Sequence, residues 1–175
     1  MGASVIKRAR LLRWGCSIGV GSALLGATIV NPPMPRLVWN ASPSAPIGLY
    51  AVTPAAAVHA GDMVIARVPG RYRAFGTARH YLPDNVPLVK EVAATSGSQV
   101  CAIGPQLFLD GGWLADRLAK DGTGRPMPWW EGCVRLRPHQ LLLLMPGKKA
   151  SFDGRYFGVS ERADVIGRAR LLWAR

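Results

Sequence analysis

The hydrophobic positions of this chain follow two contrasting patterns, and the first is an uninterrupted apolar run. Residues 14–30 read WGCSIGVGSALLGATIV and carry no charge. A helix needs roughly 17 to 25 apolar residues to cross a bilayer, so this run is just long enough to span one. The core of a cleaved signal peptide has a similar composition. We favour a retained anchor, because Ala23 and Ala27 do not form a small-residue cleavage site that leads into polar sequence.

Beyond residue 35 the apolar positions instead come in short segments with a period of two, which is typical of β-strands. Residues 61–69 and 86–94 alternate within runs rich in β-branched side chains. Residues 108–114 contain an Asp-Gly pair between apolar flanks, which predicts a hairpin. Further short strands are predicted at 133–136, 141–145, 155–160 and 163–173, and a single helical turn at 115–120. The predicted fold class is therefore mainly β, preceded by one N-terminal transmembrane helix.

The distribution of charge adds an orientation to this picture. Four basic residues precede the apolar run, Lys7, Arg8, Arg10 and Arg13, whereas only Arg36 follows it before residue 67. Positive residues favour the cytoplasmic side, which predicts a cytoplasmic N-terminus at 1–13, an inner-membrane anchor at 14–30 and a periplasmic domain at 36–175. The net charge of +12 is otherwise scattered. No run alternates basic and aromatic residues, so we expect no nucleic-acid partner.

The sequence lacks the motifs of several kinds of catalytic site. The three histidines, His59, His80 and His139, do not stand at metal-ligand spacing from another His, Cys or Glu. There is no Walker A loop, no dinucleotide-binding fingerprint and no Gly-x-Ser-x-Gly elbow. We therefore predict no metal and no cofactor.

Two of the three cysteines lie in the predicted periplasmic domain. Cys101 and Cys133 would be in an oxidising compartment and could form a disulfide, but two buried thiols would fit the sequence equally well. The third, Cys16, lies within the predicted anchor.

Lys90 stands out because of the strand in which it lies. In an extended segment, alternation places Leu88, Lys90 and Val92 on one face and Glu91 on the other. Burial among apolar side chains would lower the pKa of Lys90, as a general base at neutral pH requires. A neutral lysine can activate a serine nucleophile without any histidine. Alternatively, the strand lies at a sheet edge and Lys90 extends to water.

Four sequence blocks, in order, resemble the signal peptidase I superfamily of serine–lysine proteases. They are Ser44–Tyr50 (SAPIGLY), Gly61–Val64 (GDMV), Leu88–Ala93 with Gly97–Val100 (LVKEVA and GSQV), and Ser151–Gly158 (SFDGRYFG), behind which Ile166–Ala169 follows. The resemblance covers residues 40–173 and implies a signal-peptidase-like domain of coiled antiparallel sheets. It also implies that Ser44 is the nucleophile and Lys90 the general base.

The same resemblance implies supporting roles for four further residues. Ser42 matches a position that can donate a hydroxyl to the oxyanion, or it is a plain turn residue. Ser151 matches a serine that hydrogen-bonds the lysine and orients it. Asp153 and Arg155 match a carboxylate–guanidinium pair, which we interpret as a structural brace, with a direct role of Asp153 in the transfer step as the alternative. Glu91 departs from the pattern, because a basic residue often follows the lysine in this family.

Details of the blocks resemble one branch of the superfamily, the TraF-type peptidases of conjugative transfer systems. The box Ser-x-Pro-x-Gly-Leu-Tyr replaces the usual Ser-Met-x-Pro-Thr-Leu, and Pro146–Lys149 stands where Gly-Asp-Asn is usual. The branch matures the pilin of a type IV secretion apparatus, in some members with cyclisation. We therefore expect a membrane-anchored serine endopeptidase that acts on a precursor pilin or another membrane-inserted preprotein. The alternatives are a housekeeping type I signal peptidase and a non-catalytic, membrane-tethered assembly factor.

Overall fold

The computed structural model describes the backbone of residues 2–175 and the side chains of residues 10, 11 and 13–175. Two compact units are present, Met1–Pro35 and Arg36–Arg175. The first contains one helix, α1 (Gly2–Val30). Its segment Arg13–Val30 has a mean hydropathy of 1.2, and none of its residues is buried. The segment fits either a membrane anchor or a signal sequence.

The second unit is built mainly from β-strands. Its elements in chain order are β1 (Leu37–Asn40), β2 (Gly48–Thr53), β3 (Met63–Ala66), α2 (Gly70–Ala78), β4 (Leu88–Ala94), β5 (Gln99–Ile103), β6 (Gln106–Leu109), β7 (Gly112–Asp116), β8 (Gly132–Arg135), β9 (Gln140–Leu144), α3 (Gly154–Phe157), β10 (Ser160–Glu161), a 3₁₀ turn (Arg162–Asp164) and β11 (Val165–Ala174). The strands form two sheets in which all pairings are antiparallel. The predicted mainly-β fold class is thus confirmed.

The larger sheet carries the core of the domain. Its seven strands have the order β1-β2-β11-β3-β4-β9-β10, so β11 lies between β2 and β3 although it comes last of the three in sequence. β4 is an interior strand, paired with β3 on one side and β9 on the other. Val64, Val92 and Leu143, from these three strands, are fully buried in one apolar cluster. Any residue of β4 that faces inward is therefore surrounded by protein.

The smaller sheet has the order β7-β6-β5-β8. Asp110 and Gly111, both with positive φ, connect β6 to β7 in a tight turn, which confirms the predicted hairpin. Cys101 on β5 lies directly opposite Cys133 on β8, and the two sulfur atoms are joined in a disulfide. The bond therefore links two neighbouring strands of this sheet.

Two helices occupy positions that the alternation pattern did not predict. α2 was not predicted, although Tyr72 and Phe75 stand three residues apart and pack their rings into the same cluster. The predicted strand at 155–160 is wrong, since its first half lies in α3 and only Ser160 belongs to a strand. There Asp153 caps the helix by accepting a hydrogen bond from the Arg155 backbone N–H. Gly154 permits close packing on β9, because a Cβ at this position would lie 2.7 Å from the Leu143 carbonyl oxygen.

The predicted helical turn at 115–120 is also wrong. Its first residues belong to β7, where Ala115 is paired with Leu107 of β6 and buried. Pairing with a neighbouring strand outweighs the weak helical preference of a short segment.

Candidate active site

Ser44 lies in the loop between β1 and β2, and the loop is shaped by a buried amide. The side chain of Asn40, at the end of β1, donates hydrogen bonds to three loop carbonyls, those of Ser42, Ala45 and Pro46. Its Oδ1 accepts a hydrogen bond from the Ser42 N–H. One side chain thereby satisfies backbone groups along the whole loop, which keeps Ser44 in a defined position.

Lys90 approaches this loop from the interior strand β4. Its side chain is 1% exposed, and its Nζ lies 2.9 Å from Ser44 Oγ, within hydrogen-bonding distance. Because β4 has partners on both sides, the alternative of an edge strand with a solvated lysine is wrong. Burial lowers the pKa of Lys90 from 10.5 to about 8, with the Asp153 carboxylate opposing this shift and the Arg155 guanidinium adding to it. A substantial neutral fraction is therefore available near neutral pH.

The neighbouring Glu91 does not share this environment. Lys90 is buried, whereas Glu91, the next residue of β4, is partly exposed. This difference follows from the alternation of side chains along a strand. The carboxylate that acts on the pKa of Lys90 is that of Asp153.

Ser42 lies beside the nucleophile. Its Oγ is 3.0 Å from Ser44 Oγ and accepts a hydrogen bond from the Ser44 backbone N–H over 3.3 Å. A hydroxyl and a backbone N–H, the two donors that an oxyanion hole needs, are thus next to each other at the proposed nucleophile.

Ser151 does not make the hydrogen bond that the resemblance implied. It is buried and lines the same cleft as Ser44 and Lys90. Its Oγ, however, makes no hydrogen bond within the part of the chain that the structure describes, so the predicted bond to Lys90 is not formed here. Ser151 therefore shares the cleft with Lys90 but does not orient it through a hydrogen bond.

Asp153 and Arg155 form a fully buried ion pair with bidentate geometry. Arg155 Nε donates to Asp153 Oδ1 over 2.9 Å, and a terminal nitrogen donates to Oδ2 over 2.8 Å. Asp153 also accepts from the Met145 N–H, and Arg155 donates to the Met145 carbonyl oxygen. Both carboxylate oxygens are thus occupied, and the pair joins α3 to the end of β9. This geometry is that of a brace.

Ser44 and Lys90 open onto a cleft of about 460 Å³. The lining residues come from the Ser44 loop, β4 and three further segments: Ser42, Pro43, Ser44, Tyr81, Leu82, Leu88, Lys90, Leu118, Lys120, Asp121, Gly122, Met127, Gly147, Lys148, Lys149, Ala150, Ser151, Phe152 and Tyr156. Apart from its lysines, the cleft is mostly apolar, as ligand-binding clefts generally are. Among the residues that the structure describes, no group of three or more His, Cys, Asp or Glu side chains could hold a metal ion.

Two further residues shape the site, although sequence reasoning assigned neither of them a role; Tyr156 lies within the block Ser151–Gly158, whereas Asn40 has no obvious signature. Asn40 precedes the nucleophile loop, and only its position at a strand end with several carbonyls to satisfy could have indicated its role. The hydroxyl of Tyr156 donates to the Lys149 carbonyl oxygen and accepts from the Leu118 N–H. It thereby joins two walls of the cleft that are far apart in sequence.

A family model and several known proteins match this chain. A family model described as signal peptidase, peptidase S26, matches residues 11–174. The chain is 34% identical over 145 residues to a probable conjugal transfer protein TraF of Sinorhizobium fredii, covering 75% of this chain and 73% of that protein. It is 30% identical over 161 residues to the plasmid transfer protein TraF of Escherichia coli, covering 86% and 89% of the two chains.

Another relative and one solved structure complete the comparison. The conjugal transfer protein TraF of Agrobacterium fabrum is 32% identical over 165 residues, covering 87% of this chain and 91% of that protein. The crystal structure of a signal peptidase I from Enterococcus faecalis aligns with a TM-score of 0.38 at 14% identity, over 64% of this chain and 96% of that one. On the strength of the family model and these TraF relatives, the chain belongs to the signal peptidase family, peptidase S26.

Proposed function

We propose that this protein is a serine endopeptidase with a Ser44–Lys90 dyad. The observation that carries the proposal is the 2.9 Å approach of a buried lysine amine to a serine hydroxyl at the floor of a cleft. A serine hydroxyl is a weak nucleophile until a neighbouring group takes its proton. Lys90, with its pKa lowered to about 8, is a suitable acceptor near neutral pH.

The reaction proceeds in two steps. Ser44 Oγ attacks the carbonyl carbon of the scissile bond while its proton passes to Lys90 Nζ, and the developing oxyanion accepts hydrogen bonds from the Ser44 N–H and the Ser42 hydroxyl. Lys90 then donates the proton to the leaving amine, the C–N bond breaks and an ester to Ser44 remains. Water attacks this ester to give hydrolysis. Alternatively, an amine of the substrate itself attacks, and the product is a cyclic peptide.

We further propose that the substrate is the pilin precursor of a conjugative type IV secretion system. The TraF names of the relatives support this choice over a general secretory role. The apolar helix that precedes the domain in the chain would anchor the protein in the inner membrane. The charge asymmetry at 1–30 would then place the domain on the periplasmic side.

The proposal is tested by expressing the protein with the pilin precursor of its own conjugative system and following maturation in membranes. We expect Ser44→Ala and Lys90→Met each to abolish maturation, and Ser96→Ala, an exposed serine in the turn after β4, to leave it unchanged. Mass spectrometry separates the two outcomes of the acyl-enzyme, because a cyclic product is one water lighter than the linear one. Normal maturation by the Ser44→Ala protein contradicts the dyad. Equal processing of unrelated secretory precursors contradicts the conjugative substrate.

A further inference from the structure

The cleft that Ser44 lines carries positive charge in excess. Lys120, Lys148 and Lys149 all line it, and Asp121 is the carboxylate among the lining residues. Lys149 is 2.7 Å from Asp116 and so has a counterion. Lys120 and Lys148 are exposed, and neither forms an ion pair with any carboxylate in the described part of the chain.

The carboxylate of Asp121 is already occupied by other groups. It accepts a hydrogen bond from the Tyr81 hydroxyl over 2.6 Å and lies 2.8 Å from Arg125 Nε. Arg79 is 3.8 Å away and adds a second positive charge. Asp121 therefore does not neutralise the lysines, and the local field at the rim of the cleft stays positive.

The segments that carry the two lysines are fixed relative to each other. Tyr156 bridges them through its hydroxyl, which binds the Leu118 N–H and the Lys149 carbonyl oxygen. The Lys149–Asp116 ion pair is a second connection, and Arg155 is a third, through its hydrogen bonds to the Met145 and Asp116 carbonyl oxygens. The backbone on both sides is thus positioned before any substrate binds, which reduces the entropy lost on binding.

We propose that this cationic wall selects a substrate segment that carries carboxylate side chains close to the scissile bond. Lys120 and Lys148 bind the carboxylates at the rim, while the apolar floor around Leu88 and Phe152 accepts small or apolar side chains. Two exposed lysines acting on one carboxylate give a preference of about tenfold at low ionic strength, which decreases with salt. The inference rests on the proposed function, since it names a property of the substrate of that same site.

The cleavage test uses the full chain in a neutral detergent, so that lipid charge does not contribute. A library of natural peptides is digested, and the residues around each cut are identified by mass spectrometry. We expect Asp and Glu to be enriched at one or more positions near the cut. The double variant Lys120→Gln/Lys148→Gln removes the enrichment, and Lys120→Glu/Lys148→Glu changes it to a preference for Lys and Arg. Arg137→Glu, an exposed charge reversal outside the cleft, keeps the wild-type pattern.

A binding test separates the two proposals. Peptides that differ only in one Glu, Gln or Lys near the cut are titrated against the Ser44→Ala protein by fluorescence anisotropy. Cleavage without acidic enrichment, or enrichment that survives the double reversal, overturns the cationic wall and leaves the peptidase intact. Charge-dependent binding without cleavage by the wild type contradicts the peptidase and supports the wall. If neither cleavage nor charge-dependent binding is observed, the peptidase and the cationic wall are both contradicted.

Discussion

Lys90 and Arg155 are two cations buried to the same degree, each 1% exposed, but their surroundings differ. Arg155 shares two hydrogen bonds with the Asp153 carboxylate and further ones with backbone carbonyls. Within the described part of the chain, the one hydrogen bond of Lys90 is to the neutral hydroxyl of Ser44. The charge of Arg155 is thus compensated, whereas a charged Lys90 would be left largely unpaired.

The difference distinguishes Arg155, a cation that braces the fold, from Lys90, the proposed general base. The compensated pair fixes the end of β9 against α3 through its hydrogen bonds to the Met145 backbone. The uncompensated amine of Lys90 loses its proton more easily than a free lysine does. The lowering of its pKa from 10.5 to about 8 decreases the free energy of unfolding at neutral pH by about 3 kcal/mol. We therefore expect the two sites to respond to mutation in opposite ways.

The largest effect is expected for Lys90→Met, which keeps the shape of the side chain and removes the amine. Peptidase activity should fall by at least about 10³-fold, because Ser44 loses its base. The free energy of unfolding at pH 7 should be equal to or above that of the wild type, since a poorly compensated charge is removed. Activity assays and urea unfolding of the same preparations measure both.

The stability part of this prediction has its own pH control. The unfolded chain binds more protons at residue 90 than the folded one between pH 8 and 10.5, so wild-type stability should rise through this window. The advantage of the methionine variant should therefore shrink over the same range. A loss of more than about 2 kcal/mol in Lys90→Met at pH 7 would mean that the lysine is structural, since an unpaired charge should not stabilise the fold.

Arg155→Met should show the reverse behaviour. It leaves the Asp153 carboxylate buried without its partner, and we expect a loss of about 3 to 5 kcal/mol in the free energy of unfolding. Denaturant unfolding followed by tryptophan fluorescence measures it. The double variant Asp153→Leu/Arg155→Met should recover part of that loss, because no charge is then left buried. A stable Arg155→Met protein that is simply inactive would favour the direct catalytic role for this pair.

The next effect is the pH dependence of cleavage. Only neutral Lys90 can accept the Ser44 proton, so kcat/KM should rise about tenfold per pH unit up to the pKa near 8 and then level off. Stopped-time assays with one peptide from pH 6 to 10 give the profile. A rate that is flat across pH 6 to 9 would show that the titration of Lys90 does not limit the reaction.

The smallest effect is expected for Asn40→Ala, which tests a satisfied polar group near the site. Three loop carbonyls and one N–H lose their partner. We expect about 1 to 3 kcal/mol of lost stability, and a decrease in kcat because Ser44 is less well aligned. Thermal unfolding measures the loss of stability, and steady-state kinetics measure the decrease in kcat. Asn31→Ala, in the other unit, is the matched control.

Much of this arrangement was predictable from local pattern. Alternation along 86–94 placed Lys90 on an apolar strand face, and four short blocks in order indicated the family. Other features depend on partners that are distant in sequence. Three contacts form only once the chain has folded. They are the hydrogen bonds from the Asn40 amide to three loop carbonyls, the close packing of Gly154 on β9, and the hydrogen bond from the Tyr156 hydroxyl to the Lys149 carbonyl oxygen. α2 was missed for the same reason, because Tyr72 and Phe75 become a core face only against Phe152 and Phe157.

The position of β11 has a consequence for the order in which the candidate site is assembled. The Ser44 loop belongs to the β1–β2 hairpin and Lys90 to the strands that begin at β3, and β11 joins these two halves of the sheet. A growing chain in which residues 165–174 have not yet been made has the two halves of its dyad on separate pieces of sheet. The sheet that holds Ser44 and Lys90 in place is therefore complete only when residues 165–174 have been made and have paired with both halves.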